Sequence, residues 1–424
     1  MASFSIPLTG LEADSTAMNT IANNLANMNT TSFKSQTTDF ANLFYQQIGA
    51  SGSGDPLQVG AGVQVAATET DFSQGSISST GNSTNVALNG AGFFVIDNNG
   101  SQLYTRDGDF TLASNGNLTT QGGLSVMGYP AVGGVVQTNS PIAPINIPIG
   151  SVEQPAATGN FGMTANLDSA SAVNAQFPAE VSVYDSLGTA HNATVTYTNL
   201  GGNSWGYSID LPAADYAGAP LPATGTLGFN ADGNLITVFP TGGALENVGT
   251  APGDVSSVAV SFAGLTDSAA NLNMNWNLLG TAGTPSITQV DETSAVSATT
   301  QDGHASGQYQ SCTIGSDGTV SAKFSNGEQL LVGQLALASV TNQQGMQIDQ
   351  GGNYATTLVS GTAVLGQAGV AGLGAIQDGA LEGSNVNISE EFSNLIVAQR
   401  AFEANSKSVT TFDTVTQETI NMIH

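Results

Sequence analysis

The sequence predicts an α+β fold that is mostly β, with a helix at each end and two antiparallel β-domains between them, the outer one inserted in the inner one. Apolar residues recur every seven positions near both ends of the chain, as in helices that pack lengthwise on other helices. Between these ends, short runs of alternating apolar and polar residues are separated by turn dipeptides. This pattern is typical of strands joined by hairpins.

The C-terminal segment from Asn387 to Ile423 predicts a long amphipathic helix. Asn387 or Ser389 can cap its first turn, and the acidic pair Glu390 and Glu391 follows where the positive end of the helix dipole favours negative charge. A seven-residue apolar stripe runs along it, with companions between its members: Ile388, Leu395, Ala398, Phe402, Val409 and Phe412. A second apolar strip contains Ile396, Val397, Ala401 and Ala404, so a single partner helix would not cover this helix.

The N-terminal segment from Gly10 to Met28 carries a similar stripe. Leu11, Met18 and Leu25 are spaced by seven residues, and Ile21 and Met28 lie between or beyond them. A lone pair of such helices is marginally stable, because ordering each residue opposes folding by about 1–2 kcal/mol. We therefore expect the ends to fold together with assembly. The expected subunit-packing residues are Leu11, Met18, Ile21, Leu25, Met28, Ile388, Leu395, Ile396, Phe402, Val409 and Phe412.

The middle of the chain predicts antiparallel sheet divided by two low-complexity stretches. Five dipeptides that favour tight turns separate its alternating runs: Asn99-Gly100, Asn115-Gly116, Asp232-Gly233, Asp317-Gly318 and Asn326-Gly327. The stretches 141–162 and 280–307, rich in Gly, Ala, Pro, Ser or Thr, suggest a domain inserted in a loop of another. We expect a terminal helical domain at 1–33 and 385–424, an extended connecting segment at 34–70, an inner β-domain at 71–145 and 300–384, and an inserted outer β-domain with its linkers at 146–299.

Charge excludes one class of partner. The chain has 32 acidic and five basic residues, a net charge of −27, and only 9% charged residues in total, so nucleic acid is excluded as a partner.

No cleaved secretory signal and no membrane span are predicted, since the first basic residue is Lys34 and no apolar run approaches the required length. The lone Cys312 alternates with Ile314, which predicts a buried thiol in a strand.

No catalytic, cofactor or metal site is predicted. His191, His304 and His424 are far apart in the sequence and match no metal-ligand spacing. The segment 202–206 has the form GxSxG around Ser204, but strand-like alternation resumes immediately after it, which favours a hairpin turn over a nucleophile elbow. The fragments 97–100 and 107–109 lack the full spacing of a calcium loop.

Both ends and parts of the middle resemble the flagellar axial proteins, the family of rod, hook and hook-associated proteins. The N-terminal match is IANNLAN at 21–27 with Phe33 and Lys34, and the C-terminal match is NVNISEEF at 385–392 with IVAQRAF at 396–402. Stretches 88–95, 104–110, 301–307 and 374–382 are similar to the shared β-domain, and VSVYDSLG at 181–188 resembles the outer domain of hook subunits. The family-signature residues are Asn23, Asn24, Asn27, Phe33, Lys34, Glu390, Glu391, Gln399 and Arg400.

The resemblance implies a structural subunit of the bacterial flagellar hook. Its helices would form a coiled-coil-like axial region around an export channel, and many copies would form a curved, flexible tube that transmits torque from the motor to the filament. Expected partners are other copies of the chain, a rod protein, the hook cap, the hook-filament junction proteins and the flagellar export apparatus, outside the cell. A rigid distal rod protein, a secreted adhesin or surface-layer protein, and a hydrolase using Ser204 remain as alternatives.

Overall fold

The computed structural model of the chain describes residues 5–44, 46–50, 56–218, 221–280 and 282–422. It divides into two compact units. The first comprises the described residues up to Ile149, Gln310–Lys323 and the described residues from Gln329 onward; the second comprises Gly150–Tyr309 and Phe324–Glu328. The finer division of the first unit, and the boundaries at 146 and 299, stay predictions.

Two long helices belong to the first unit, α1 at Ser5–Ala26 and α2 at Ile388–Met422. Asn387 caps α2, since its Oδ1 accepts a hydrogen bond from the backbone amide of Ser389 at 3.2 Å. Met28 lies beyond the end of α1, in a turn, so the predicted helical stripe does not extend to it. Residues 1–4 and 423–424, which the sequence assigns to the terminal helical domain, lie outside the described residues.

Four strands follow α1, where the sequence predicts only an extended connection. They are β1 (Gln36–Asn42), β2 (Gln46–Ala50), β3 (Pro56–Val59) and β4 (Val63–Thr70). β1 pairs with β4 and β2 pairs with β3, both antiparallel, so this segment is extended and also folded back on itself.

The β-structure of the first unit continues in many short strands. Before the second unit these are β5 (Ile77–Ser79), β6 (Val86–Asn89), β7 (Phe93–Asn98), β8 (Ser101–Thr105), β9 (Phe110–Leu112), β10 (Leu118–Thr120), β11 (Ser125–Val132), β12 (Val135–Val136) and β13 (Ala143–Pro144).

The second unit contains twelve further strands among its described residues. They are β14 (Val152–Glu153), β15 (Asn160–Asp168), β16 (Gln176–Tyr184), β17 (Ala190–Gly201), β18 (Ser204–Asp210), β19 (Ala223–Phe229), β20 (Leu235–Pro240), β21 (Glu246–Asn247), β22 (Ser257–Phe262), β23 (Leu272–Asn277), β24 (Ile287–Val290) and β25 (Ala295–Gln301).

The chain then returns to the first unit through β26, which starts in the second unit. The returning strands are β26 (Gly307–Ile314), β27 (Thr319–Phe324), β28 (Gln329–Leu335), β29 (Leu337–Ser339), β30 (Gln347–Ile348), β31 (Tyr354–Ala355), β32 (Val364–Gly366), β33 (Ala375–Asp378) and β34 (Ala380–Glu382). Outgoing and returning strands pair with each other: β28 with β11, β29 with β7, β33 with β6 and β34 with β5.

The prediction of a mostly β fold with terminal helices is confirmed, and each of the five turn dipeptides lies in a connection between consecutive strands. Asn99 and the glycines of all five dipeptides have positive φ, as tight hairpin turns require. Cys312 is 2% exposed in β26, as predicted.

The second unit packs two sheets around one apolar core. β16 to β21 form a six-stranded antiparallel sheet in chain order, and β22, β23, β15, β24 and β25 form the other. Trp205, Trp276 and Tyr197 lie in this core with at most 1% exposure. The antiparallel expectation has one exception, since β15 pairs in parallel with β23 and β24. Parallel pairing needs a long crossover, and the intervening strands provide it.

Candidate functional site

The two terminal helices lie antiparallel and contact each other through small and polar side chains. Asn24 of α1 donates from Nδ2 to Glu391 Oε1 near the start of α2, at 2.8 Å. Further along, Asn405 Nδ2 donates to Asp14 Oδ2 at 2.9 Å. Asn405 also lies so close to Gly10 that an added Cβ would be 2.6 Å from Asn405 Nδ2. Glycine at position 10 therefore lets the helices approach.

The predicted apolar stripes are only partly covered in this helix pair. Leu11, Met18, Ile21, Leu25, Leu395, Val409 and Phe412 are half-buried. Larger fractions of Met28, Ile388, Ile396 and Phe402 are exposed, at 38, 46, 49 and 36%. Residue 11 lies one position further round α1 than Gly10, about 100° away, which places the Leu11 stripe at the edge of the contact with α2. The stripes thus have apolar area left for other partners.

A polar junction connects the end of α1, the start of α2 and the β-strands of the first unit. Asn24 Oδ1 accepts from the backbone amide of Gln36, and its Nδ2 also donates to the Gln36 carbonyl. Asn385 Oδ1 accepts from the backbone amide of Ser35, and its Nδ2 donates to the Asp71 carbonyl. Because each amide side chain bonds backbone of a different segment, the junction fixes the path of the chain into and out of both helices.

The centre of this junction is a buried ion pair between Lys34 and Glu382. Lys34 Nζ lies 2.7 Å from Glu382 Oε1, and both side chains have 0% exposure. Lys34 Nζ also donates to the Ser73 carbonyl, and Glu382 Oε1 accepts from the backbone amide of Gly75. Burial lowers the pKa of Lys34, while the hydrogen bond and the charge of Glu382 act in the opposite direction.

Arg106 completes the charged centre at longer range. Its Nε lies 3.9 Å from Glu382 Oε2, and its Cζ lies 5.9 Å from the ring centre of Phe93. Burial lowers its pKa, and the charge of Glu382 acts in the opposite direction. Two of the five basic residues of the chain thus surround one buried carboxylate.

The structure therefore brings together only some of the family-signature residues. Asn24, Lys34 and Glu391 lie in the junction, Asn27 bonds back to the Asn23 carbonyl at the end of α1, and Phe33 is half-buried. In contrast, Glu390, Gln399 and Arg400 are exposed on α2. Sequence reasoning missed Arg106, Glu382 and Asn385 as functional residues, although each lies in a stretch that carries the family resemblance.

The GxSxG segment and His191, both considered in the sequence analysis, lie in the second unit. Ser204 begins β18 directly after the turn from β17, so the GxSxG segment is a hairpin, as predicted. His191, which matches no ligand spacing in the sequence, is 4% exposed between two carboxylates. Its Nε2 lies 3.1 Å from Asp185 Oδ2 and its Nδ1 lies 2.9 Å from Asp215 Oδ2. Burial opposes the charge of His191, but these two carboxylates raise its pKa overall.

Among the described residues, no helix is both long and apolar enough to span a bilayer.

Comparisons with known proteins agree along the chain. Four family models match: Flagella basal body rod protein at 7–34, Flagellar hook protein FlgE/F/G D1 domain at 87–161, Flagellar basal body protein FlaE D2 domain at 155–304, and Flagellar basal body rod FlgEFG protein C-terminal at 377–422. A crystal structure of the Helicobacter pylori flagellar hook protein FlgE2 has a similar fold, with a TM-score of 0.52 at 14% identity over 72% of this chain and all of that one.

Curated relatives match over almost their whole length. The flagellar hook protein FlgE of Salmonella typhimurium is 35% identical over 99% of this chain and 100% of its own. The FlgE of Escherichia coli is 35% identical over 99% of both chains, and that of Borreliella burgdorferi is 31% identical over 98% of both. With its terminal helices, its two β-rich units and this similarity from end to end, the chain belongs to the flagellar hook protein family.

Proposed function

We propose that the chain is a structural, non-enzymatic subunit that polymerises into the curved, flexible tube of the flagellar hook. In this role the tube transmits torque from the rod and motor to the filament and encloses an export channel. The observation that carries the proposal is the uncovered apolar surface of the helix pair. Val397, Ile396 and Phe392 on α2 are 67, 49 and 52% exposed, and Leu8 on α1 is 59% exposed.

The lengths of the helices support the same role. α1 has 22 described residues and α2 has 35. Because Asn24 contacts Glu391 and Gly10 contacts Asn405, the described start of α1 reaches only to about residue 410 of its antiparallel partner. The last turns of α2 have Val415, Ile420 and Met422 exposed by 54, 53 and 79%. Burial of such residues against neighbouring copies would contribute roughly 1.5–3 kcal/mol for each side chain.

The surface chemistry is suited to bending under load. A hook turns while curved, so contacts away from its axis must change as subunits move closer and apart. Only 9% of the residues are charged, and exposed ion pairs contribute little in any case. Apolar contacts among the helices would hold the tube together. Weak polar contacts among the β-units would break and re-form as the subunits move.

The partners and the location follow from this role. We propose that copies of the chain contact one another, a rod protein at one end, junction proteins at the other and a cap during growth, after passage through the flagellar export apparatus to the outside of the cell.

Electron microscopy of Phe402→Ala and Phe239→Ala tests the proposal. Phe402 on α2 and Phe239 on β20 of the second unit are exposed to similar extents, 36 and 43%, so neither change should unfold the isolated chain. If Phe402 becomes buried in a polymer, its truncation removes about 3–5 kcal/mol per copy. We expect concentrated wild-type protein and Phe239→Ala to form tubes and Phe402→Ala to remain dispersed. The proposal is contradicted if Phe402→Ala forms tubes at the lowest protein concentration at which the wild type does. It is also contradicted if the wild type forms only discrete particles.

A further inference from the structure

The second unit contains buried carboxylates but no permanently charged basic side chain that could neutralise them. Neither Lys nor Arg occurs in 150–309 or 324–328. Nevertheless, Asp185 is completely buried, and Asp267 Oδ2 is enclosed without a hydrogen-bond partner. A buried carboxylate is stable only when a positive charge or a proton compensates it. Within this unit, the compensation comes from a histidine, from a proton held by one of the carboxyl groups or from a bound cation.

Asp185, His191 and Asp267 converge on one point. One ligand atom from each lies within 4.8 Å of the other two. Asp185 and His191 come from the two sides of the β16–β17 turn, and Asp267 comes from the loop between β22 and β23. Ser186 Oγ accepts a hydrogen bond from the Ala270 amide at 3.0 Å, which holds this loop on the turn. This contact keeps the loop that carries Asp267 beside the turn that carries Asp185.

We propose that Asp185, His191 and Asp267 bind one divalent cation of the zinc type. A tetrahedral zinc ion with bonds of about 2.0–2.1 Å to nitrogen and oxygen requires its ligands to be about 3.3 Å apart. His191 Nε2 and Asp185 Oδ2 are 3.1 Å apart, which fits this requirement for that pair, and the Asp267 oxygen lies within 4.8 Å of both atoms. Water would complete the tetrahedron, as in other sites with three protein ligands.

The surroundings of these three ligands match those of a zinc site. Asp185 Oδ1 accepts hydrogen bonds from the backbone amides of Leu187 and Thr189, at 2.8 and 2.9 Å, which leaves Oδ2 for the cation. Asp215 Oδ2 lies 2.9 Å from His191 Nδ1. A histidine that binds a metal commonly donates its other ring N–H to a carboxylate in this way, which fixes the tautomer. Asp215 is thus a positioning residue.

The donor set selects among cations. Imidazole nitrogen is a preferred ligand of zinc and neighbouring transition metals, whereas calcium takes six to eight oxygen ligands. The cluster offers one nitrogen and few oxygens, so zinc should bind more tightly than calcium. Binding to Nε2 requires a neutral imidazole, so any proton on that nitrogen is released to the buffer as the metal enters.

Calorimetric titration of the full chain with zinc chloride tests this site. We expect one tight zinc equivalent, weaker binding of calcium, and proton release when the titration is repeated in buffers of different ionisation enthalpy. Asp267→Asn should weaken zinc binding at least tenfold, and Asp215→Asn should weaken it about 10–100-fold. Asp232→Asn is the matched control, since Asp232 is an exposed acid in a turn of the same unit, and it should bind zinc as the wild type does.

Nitrogen-15 spectra of the imidazoles provide a second measurement that needs no variant. The chain has three histidines, and one equivalent of zinc should shift the Nε2 signal of His191 alone.

Equal zinc affinity of Asp267→Asn and Asp232→Asn would mean that the metal binds the acidic surface generally. That result, or His191 signals that zinc leaves unchanged, would overturn the proposal and leave a protonated His191 as the sole positive charge of the cluster.

Discussion

Asn24 and Glu391 form a buried hydrogen bond of 2.8 Å between residues that are 367 positions apart in the sequence. The bond joins the last turn of α1 to the first turn of α2, and its members are 1 and 8% exposed. Burial raises the pKa of Glu391, and the hydrogen bond from Asn24 only partly offsets this effect.

Replacement of Glu391 by Gln should stabilise the helix pair at neutral pH. A carboxyl group whose pKa is raised on folding binds its proton more tightly in the folded state, so its ionisation opposes folding at higher pH. The contribution of Glu391 to the stability of the fold is complete below its unfolded pKa of 4.5. This contribution is lost as pH rises through the higher pKa of the folded state. The gain from Glu391→Gln, measured by thermal unfolding, should therefore shrink toward zero as pH falls below about 4.5.

Glu390→Gln is the control for this change. Glu390 is exposed in the same helical turn, so both substitutions lose a similar interaction with the helix dipole. A pH-independent effect of Glu391→Gln, or an equal effect of the two substitutions, would refute the assignment of the raised pKa to burial.

Lys34→Met should destabilise the first unit strongly. It leaves Glu382 buried without its closest positive partner, and such a loss destabilises proteins by about 3–5 kcal/mol. The exposed Lys407, replaced in the same way, should change stability by less than about 0.5 kcal/mol. Scanning calorimetry of the full chain measures both, and similar transitions for the two variants would show that the ion pair contributes little.

The double variant Lys34→Met, Glu382→Gln measures the interaction between the two side chains apart from the interactions of each with its surroundings. Because the second change removes the stranded charge, the loss in the double variant should be smaller than the sum of the two single losses. Additive losses would mean that the two side chains act independently.

Assembly should strengthen as salt increases at neutral pH. Each copy carries a net charge of −27, and packing copies together raises their mutual repulsion, which salt screens. Light scattering across a salt series should show a falling concentration threshold. A threshold that rises with salt would indicate that attraction between specific opposite charges dominates.

Local patterns in the sequence were sufficient for the elements that depend on local chemistry. Asn99-Gly100 and the other turn dipeptides select a backbone conformation within a few residues, and Asn387 caps α2 by bonding two residues ahead. The parallel pairing of β15 and the convergence of Asp267 with His191 depend on contacts between distant segments. No periodicity within one segment reports such contacts.

The candidate site was predicted in part for the same reason. Apolar periodicity identified the stripes of both helices, but it could not show that α1 meets α2 through Gly10 and Asn24 rather than through Leu11 and Leu25. Glu382 gave no signal beyond its place in a family-like stretch. Its importance arises from Lys34, which the fold brings to it across 348 positions.

The burial of Lys34 leaves the chain with few reactive amines on its side chains. Of its three lysines, Lys34 is inaccessible in the junction, while Lys323 on β27 and Lys407 on α2 are exposed. An amine-reactive dye added to the folded chain would therefore modify one lysine on the β-structure and one on the long helix. The ratio of dye at these two positions, before and after polymerisation, would report directly which of the two surfaces becomes shielded.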